Sequence, residues 1–244
     1  MPEGPSIVIL REQAHQFVGK IIREAEGNTR LDLTPLIGQR IRSIRSFGKQ
    51  LLIELPTLTI RIHLMMFGSY RINERSDRSP RLRLAFACGE LNFYACSVRY
   101  VEGDLDDLYD GRADVMSDSW NPRLAAKKLR QMPDALVCDA LLDQDVFAGV
   151  GNIIKNEVLF RIRVHPLSVA GALPARKLLE MIREARAYSF EFLRWKKEFT
   201  LRKHWLAHNK SVCPRDHVKF VRAYLGVRER RSFFCEICQR RYAR

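Results

Sequence analysis

The loop Phe147–Asn152, FAGVGN, joins two apolar stretches with helical spacing in this 244-residue chain. Those stretches are Asp134–Gln144 and Asn152–Phe160, and the glycines between them permit a tight turn. Asn152 then begins the second helix, where backbone N–H groups can bind a phosphate. The pattern predicts a helix pair whose connecting loop either binds phosphate or is an ordinary helix–turn–helix connection. Glu157 is either an exposed carboxylate or a buried one that holds the turn through backbone N–H groups.

Towards the N-terminus, short apolar segments replace the helical spacing. A helix over Ser6–Gly19 comes first, and strands separated by turn residues follow it. The predicted strands are Ile41–Phe47, Gln50–Leu55, Leu58–Leu64, Arg81–Ala87 and Glu90–Ala95. Several short strands at this spacing predict an antiparallel sandwich or barrel.

Towards the C-terminus, the spacing is helical and then gives way to a cysteine-containing tail. Asn121-Pro122 opens a helix to about Gln131, and Pro174–Phe199 forms a long basic helix. The acidic stretch Glu102–Asp118 has the composition of a linker. We therefore expect an α+β fold with three parts: a β-sandwich domain over residues 1–118, a helical domain over 119–208 and a small metal module over 209–244.

The charge of the chain indicates a polyanionic partner. The formal net charge is +14, and residues 121–244 hold all of the excess, with 26 basic against 12 acidic residues. Hydrophobic residues at 46% and charged residues at 29% argue against a disordered chain, and neither an apolar membrane span nor a secretory leader is present. We expect a soluble, cytoplasmic protein that binds nucleic acid. An anionic membrane surface, or a helical half that is basic only for solubility, is the alternative.

Two pairs of residues near the C-terminus have the spacing of a zinc site. Cys213 and His217 form C-x3-H, and Cys235 and Cys238 form C-x2-C after 17 intervening residues. Pairs joined by a hairpin-length segment can close a tetrahedron around Zn²⁺. The alternative is a lone C-x2-C beside a coincidental histidine. Arginines between the pairs would lie on the hairpin, where guanidinium groups can meet a phosphate.

The first residues, MPEGP, can carry chemistry. Removal of Met1 would leave Pro2 with a secondary amine, which can attack an electrophilic sugar carbon and form an iminium ion. Glu3 could donate or accept protons on the sugar ring. The alternative is that Pro2 only begins a helix.

Together these motifs resemble the formamidopyrimidine-DNA glycosylase/endonuclease VIII family of base-excision repair enzymes. The start MPEGP, the Gly48-Lys49 turn, Leu141–Asn152 followed by Glu157, and the zinc hairpin occur in the order of the family over essentially the whole chain. The resemblance implies an N-terminal helix with a β-sandwich, a helix–two-turn–helix domain and a zinc finger.

The resemblance also implies roles for individual residues. Pro2 is similar to the nucleophile that forms a Schiff base with C1′ of the damaged nucleoside, and Glu3 to the acid/base that acts on the deoxyribose. Lys49 is similar to the lysine that contacts phosphate and assists β-elimination. Asn152 is similar to the phosphate-binding asparagine. Arg230 is similar to the zinc-finger arginine linked to phosphate binding and δ-elimination, with Arg231 as the alternative if the register slips by one.

A flipped-out nucleotide leaves a void in the duplex that an apolar wedge must fill. Met65, Met66 and Phe67 lie where the void-filling loop of the family falls, and unbranched methionines suit that task. The alternative is that these residues belong to the core of a strand.

Two departures favour the endonuclease VIII branch, whose substrates are mainly oxidised pyrimidines: Asp145 stands where the formamidopyrimidine branch tends to have a lysine, and no PRRFG-like loop follows the fifth predicted strand. Ser6 stands where the family usually has a second glutamate, so the support that this glutamate gives to the active-site geometry is missing. The Cys-His-Cys-Cys ligand set resembles a minority zinc variant of the endonuclease VIII branch.

The resemblance therefore predicts a bifunctional DNA glycosylase/AP lyase with one structural Zn²⁺. We expect it to act as a monomer on damaged DNA, without a membrane partner, and to cut by β,δ-elimination. The alternatives are a DNA-binding member of the same fold without cleavage, prompted by Ser6, and a zinc-stabilised regulator that reads DNA sequence.

Overall fold

The chain divides between Asp110 and Gly111 into two units, and the computed structural model describes residues 2–243 of it. The first unit consists mainly of strands, and the second of helices followed by a hairpin. The predicted α+β class is therefore confirmed. The helical segment and the cysteine-containing tail lie in the same unit, and their finer division at residues 208 and 209 stays a prediction.

The helices of the first unit are α1 (Gly4–Ala14) and α2 (Leu105–Leu108). Its strands are β1 (Glu24–Glu26), β2 (Ser43–Phe47), β3 (Gln50–Glu54), β4 (Thr59–His63), β5 (Ser69–Ile72), β6 (Leu82–Phe86), β7 (Gly89–Tyr94) and β8 (Ser97–Val101). These strands form two four-stranded antiparallel sheets, ordered β1-β6-β7-β5 and β2-β3-β4-β8. The apolar faces of both sheets meet in one core, and α1 adds buried side chains such as Ile7 and Leu10 to it.

The sequence pattern does not predict three of the strands, and all three lie at an edge of a sheet. β1, β5 and β8 each have a single strand as their neighbour. Alternate residues of β5 are exposed, and β1 has an exposed glutamate at each end. Edge strands carry polar residues, so their hydrophobic pattern is weak. The predicted linker contains α2, where the Asp104 carboxylate caps the helix by accepting the Asp106 N–H at 2.8 Å.

The helices of the second unit are α3 (Pro122–Gln131), α4 (Val137–Ala140), α5 (Asn152–Arg161) and α6 (Ala175–Lys197), and its hairpin is β9 (Val221–Leu225) and β10 (Arg230–Phe234). Helices α5 and α6 contribute many of the buried side chains of its apolar core. The Asn121 side chain accepts the N–H groups of Arg123 and Leu124, so α3 begins as the sequence predicts. None of the helices within residues 2–243 has both the length and the apolarity needed to cross a bilayer.

Helix α4 is much shorter than the predicted Asp134–Gln144. The apolar spacing continues past Ala140, but loop side chains bond the backbone that a longer helix would use. The Gln144 amide donates to the carbonyls of Leu142 (2.9 Å) and Val150 (3.2 Å), and it accepts the Gly149 N–H at 3.2 Å. Such local side-chain bonds compete with helix formation. The hydrogen bonds of Gln144 therefore hold the loop that leads from α4 to the first residue of α5.

Candidate active site and metal centre

The N-terminal candidates lie at the beginning of α1. Pro2 is partly exposed, Glu3 is fully buried, and Met1, whose removal is predicted, lies outside the described residues. The Ser6 N–H donates to the Glu3 carbonyl at 2.8 Å, and the Ser6 hydroxyl accepts the Glu3 N–H at 3.5 Å. Glu3 is the N-cap of α1 and Ser6 is its N3 residue, and the two form a capping box that holds Glu3 in place. The residue that departs from the family pattern has a structural use at this site.

Lys49 lies in the two-residue turn between β2 and β3. Gly48 has φ of 54°, as the first position of a type II′ hairpin turn requires. Because Gln50 pairs with His63, this turn lies at the same end of the sheet as the loop that follows β4. Burial and the positive charges of Lys49 and Arg61 lower the pKa of His63. The His63 Nδ1 atom accepts the Met65 N–H at 3.0 Å, so this neutral imidazole fixes the beginning of the loop.

The loop between β4 and β5 exposes the three predicted void-filling residues. Met65 and Met66 are each about half exposed, and Phe67 is 85% exposed. They lie in a turn and outside both strands, so the strand-core alternative is wrong. A Cβ at Gly68 would approach the Leu64 carbonyl oxygen to 1.9 Å, so the loop closes tightly only with glycine there. Their void-filling role stays a prediction.

Asn152 is the first residue of α5, as predicted, but its side chain is largely buried. Its Nδ2 atom donates to the Arg231 carbonyl at 2.9 Å. Its Oδ1 atom is buried and accepts no hydrogen bond from residues 2–243. The asparagine thus links the loop to β10 and keeps one acceptor unused; its role in phosphate binding stays a prediction.

The two candidate arginines lie on opposite faces of β10. Arg231 is exposed, and its guanidinium carbon lies 5.5 Å from the centre of the Tyr224 ring. Side chains alternate along a strand, so Arg230 shares its face with the fully buried Ser232. Ser232 contacts α5 through Lys155. Arg230 is therefore the arginine on the α5 side of the hairpin.

Glu157 is buried, as the second of the two alternatives predicts, but the N–H groups that it binds are not those of the turn between the helices. Its carboxylate accepts the N–H groups of Leu206 and Ala207 at 2.9 Å and of His208 at 2.7 Å. Burial raises the pKa of this carboxyl despite the three donors. It therefore holds the segment after α6 and not the loop before α5.

His208 is a buried imidazole that titrates at unusually low pH. Its Nδ1 atom lies 3.1 Å from the Asn156 amide nitrogen. Burial first, and the Lys155 ammonium second, lower the pKa of His208 from 6.5 to about 4. A protonated imidazole would lose the bond from Asn156 and place a second cation beside Lys155.

Stability that depends on neutral His208 is therefore present above pH 6.5 and is lost as the pH falls towards 4. The lowering of the His208 pKa from 6.5 to about 4 corresponds to about 3 kcal/mol of unfolding free energy. We expect the His208→Gln variant to be less stable at pH 7 but to lose less stability than the wild type between pH 6.5 and 4. Urea unfolding with excess zinc at each pH measures this, with exposed His15→Gln as the control. Parallel pH profiles for wild type and His208→Gln would contradict the prediction.

Three of the four predicted metal ligands meet at the base of the β9–β10 hairpin. The sulfurs of Cys213, Cys235 and Cys238 and an oxygen of Asp216 all lie within 4.8 Å of one another. The Cys213 and Cys238 sulfurs are 3.8 Å apart, and Asp216 Oδ2 lies 3.4 Å from the Cys213 sulfur and 3.2 Å from the Cys235 sulfur. A zinc tetrahedron has edges of about 3.8 Å between two sulfurs and about 3.5 Å between sulfur and oxygen. The donor set and its spacing fit Zn²⁺.

The predicted ligand His217 does not belong to this cluster. Its side chain is exposed, and its backbone is in the left-handed region with φ of 56°. Its N–H donates to the Cys213 carbonyl at 3.0 Å, so His217 closes the turn that follows Cys213. The signal that the sequence reading missed is spacing: Cys213 and Asp216 form C-x2-D, the same separation as Cys235 and Cys238.

Comparison with known proteins covers both units. Residues 1–99 match the formamidopyrimidine-DNA glycosylase N-terminal domain, and residues 113–191 match the formamidopyrimidine-DNA glycosylase H2TH domain. Endonuclease 8 2 of Mycobacterium tuberculosis (strain CDC 1551 / Oshkosh) is 32% identical in an alignment of 203 positions that covers 75% of this chain and 77% of that protein. Endonuclease 8-like 3 of Mus musculus is 30% identical in an alignment of 206 positions that covers 81% of this chain but only 34% of that longer protein.

The fold also matches that of a solved structure. Lactococcus lactis formamido-pyrimidine DNA glycosylase, noncovalently bound to DNA that contains an AP site, has a TM-score of 0.83 and 21% sequence identity. The match covers 98% of this chain and all of that one. At this identity the similarity concerns the fold.

Proposed function

Because the chain belongs to the formamidopyrimidine-DNA glycosylase and endonuclease VIII family, we propose that it is a DNA glycosylase of base-excision repair with AP lyase activity. The observation that carries the proposal is the beginning of α1. A candidate amine nucleophile, Pro2, directly precedes the buried carboxylate of Glu3, which the capped helix holds in place. A regulator that reads DNA sequence would have no use for this pair.

The chemistry follows from these groups. The Pro2 nitrogen attacks C1′ of the nucleoside, the glycosidic bond breaks, and the base leaves with a proton. Glu3 exchanges a proton with the opening sugar ring, and the resulting iminium ion acidifies the proton on C2′. Loss of that proton expels the 3′ phosphate, and loss of the C4′ proton expels the 5′ phosphate. Lys49 assists the first elimination, and Arg230 holds a phosphate for the second.

We propose that the second unit supplies DNA affinity. All of the excess positive charge lies in residues 121–244, and released counterions would make binding salt-dependent. Zn²⁺ would be held by Cys213, Cys235 and Cys238 with Asp216 as the fourth ligand. When bound, it cross-links the base of the hairpin that carries Arg230.

A panel of oligonucleotides, each with a single lesion, tests the function. We expect base release from oxidised pyrimidines, cleavage that leaves a 3′ phosphate, and a covalent complex after borohydride reduction. Each lesion is presented in duplex and in single-stranded form, and undamaged DNA is the control. DNA binding without base release or AP-site cleavage would instead support a non-cleaving member of the fold, and preference among undamaged sequences would support a regulator.

A further inference from the structure

Lys155 is a buried lysine that the chemistry above does not use. It lies on α5, and none of its surface is exposed. Lysine side chains are almost never buried to this extent unless polar groups surround the ammonium. The Nζ atom donates to the Ser232 hydroxyl at 2.8 Å and lies 3.4 Å from the Arg231 carbonyl oxygen. The ammonium therefore faces β10 at Arg231 and Ser232.

Two further side chains on the same face of α5 bond this strand. Residues 152, 155 and 156 share one helix face because they are separated by three and four positions. The amide nitrogens of Asn152 and Asn156 lie 2.9 and 3.4 Å from the same Arg231 carbonyl. The Phe233 N–H donates to Asn156 Oδ1 at 3.4 Å. The α5 side chains thus hold β10 through the backbone of Arg231 and Phe233 and through the hydroxyl of Ser232.

Hydrogen bonds continue from Lys155 to Arg230 itself. The Ser232 hydroxyl, which accepts from the ammonium, donates to the Arg230 carbonyl at 3.2 Å. Arg230 and Ser232 share a strand face, so a rotation of β10 that released Ser232 would also turn the guanidinium away. An apolar side chain would fill the volume of Lys155, but the Ser232 hydroxyl and the Arg231 carbonyl would lose the ammonium as their donor. Losing a hydrogen-bond donor destabilises a polar group in a buried position.

We propose that Lys155 is a positioning residue that orients Arg230 towards a DNA phosphate through Ser232 and the backbone of β10. This inference rests on the proposed DNA-binding function of the second unit. Lys155 itself stays buried and does not contact DNA. Its effect on DNA binding passes entirely through Arg230, so removing either residue loses the same phosphate contact.

A double-mutant cycle tests this dependence. The full chain, zinc-loaded, is titrated with a duplex that contains a tetrahydrofuran abasic analogue, which cannot be cleaved, over a series of salt concentrations. We expect Arg230→Ala and Lys155→Met each to lower affinity about tenfold and to reduce the salt slope by about one. The double variant should bind no more weakly than Arg230→Ala alone. Lys127→Met removes an exposed lysine from α3 and is the matched charge control.

Additive losses in the double variant would overturn the proposal, as would a Lys155→Met or an Arg230→Ala variant that binds like the wild type. Zinc content and circular dichroism establish that each variant is folded. If Lys155→Met does not fold, Ser232→Ala breaks the same connection with a smaller change and should show the same non-additivity with Arg230→Ala. Failure of the proposed function would be seen separately, as absence of base release by the wild-type chain.

Discussion

Blocking the Pro2 nitrogen is expected to abolish borohydride trapping and to reduce base release by at least about 1,000-fold. A short peptide fused before Pro2 converts its amine to an amide, whose nitrogen lone pair is delocalised and is not nucleophilic. Pro2→Gly is the milder change, because it leaves a primary amine that still forms an iminium ion, although this ion can lose its remaining N–H proton and become a neutral imine. We expect Pro2→Gly to trap slowly and the extended chain not to trap at all.

The experiment uses one preparation measured before and after a protease removes the added peptide. Trapping and base release should both return when the amine of Pro2 is freed. Mass spectrometry of the reduced complex should place the DNA remnant on the N-terminal peptide. The same peptide fused after Arg244 is the control and should leave trapping unchanged. Full trapping by the blocked chain, or a remnant on an internal lysine, would assign the nucleophile to another residue.

Local sequence signals predict the parts of the fold that local interactions determine. Asn121-Pro122 specifies the beginning of α3 because the cap and the first helical residue act within one turn. The Gly48-Lys49 turn is predictable for the same reason, since a two-residue hairpin requires a positive φ. The edge strands β1 and β5 escaped detection because exposed residues dilute their pattern.

The missed features of the candidate site all depend on contacts between distant segments. Lys155 reads as an ordinary polar position of a helix, and only the return of β10 some 77 positions later buries it. Glu157 finds its partners about 50 residues downstream. Nothing in the neighbouring sequence specifies such pairings, because tertiary packing decides them. For Asp216 the C-x2-D spacing from Cys213 is visible in the sequence, but only the fold brings its carboxylate within 4.8 Å of the sulfurs of Cys235 and Cys238.

Loss of the Asp216 carboxylate is expected to lower zinc affinity at least about 100-fold, whereas loss of the His217 imidazole should leave it unchanged. The Asp216 carboxylate lies with the three cysteine sulfurs in the cluster that could hold the metal, and His217 is exposed. Three thiolates and a carboxylate exceed the charge of Zn²⁺ by two. Arg215 lies beside them, with Nη1 3.7 Å from the Cys238 sulfur, and offsets part of that excess.

Four variants separate the two ligand assignments. Asp216→Ala should release zinc to a chelator that the wild type resists, and Cys235→Ser should do the same. His217→Gly should retain zinc and gain about 1 kcal/mol in hairpin stability, because glycine tolerates the φ of 56° at this position. Asp216→Cys should give the Co²⁺-substituted protein stronger sulfur-to-metal charge-transfer absorption. Zinc content, chelator competition and thermal melting are the measurements.

The opposite pattern, with zinc lost from His217→Gly and kept by Asp216→Ala, would restore the C-x3-H assignment. The distinction has a consequence for DNA binding, because Cys213 and Cys235, which directly follows β10, pack in one cluster with Phe160. Metal loss should loosen the base of the hairpin and remove the support that orients Arg230, while the sheets of the first unit, whose core is separate, stay folded. If DNA affinity and its salt dependence stay unchanged after verified zinc loss, the hairpin does not contribute to phosphate binding.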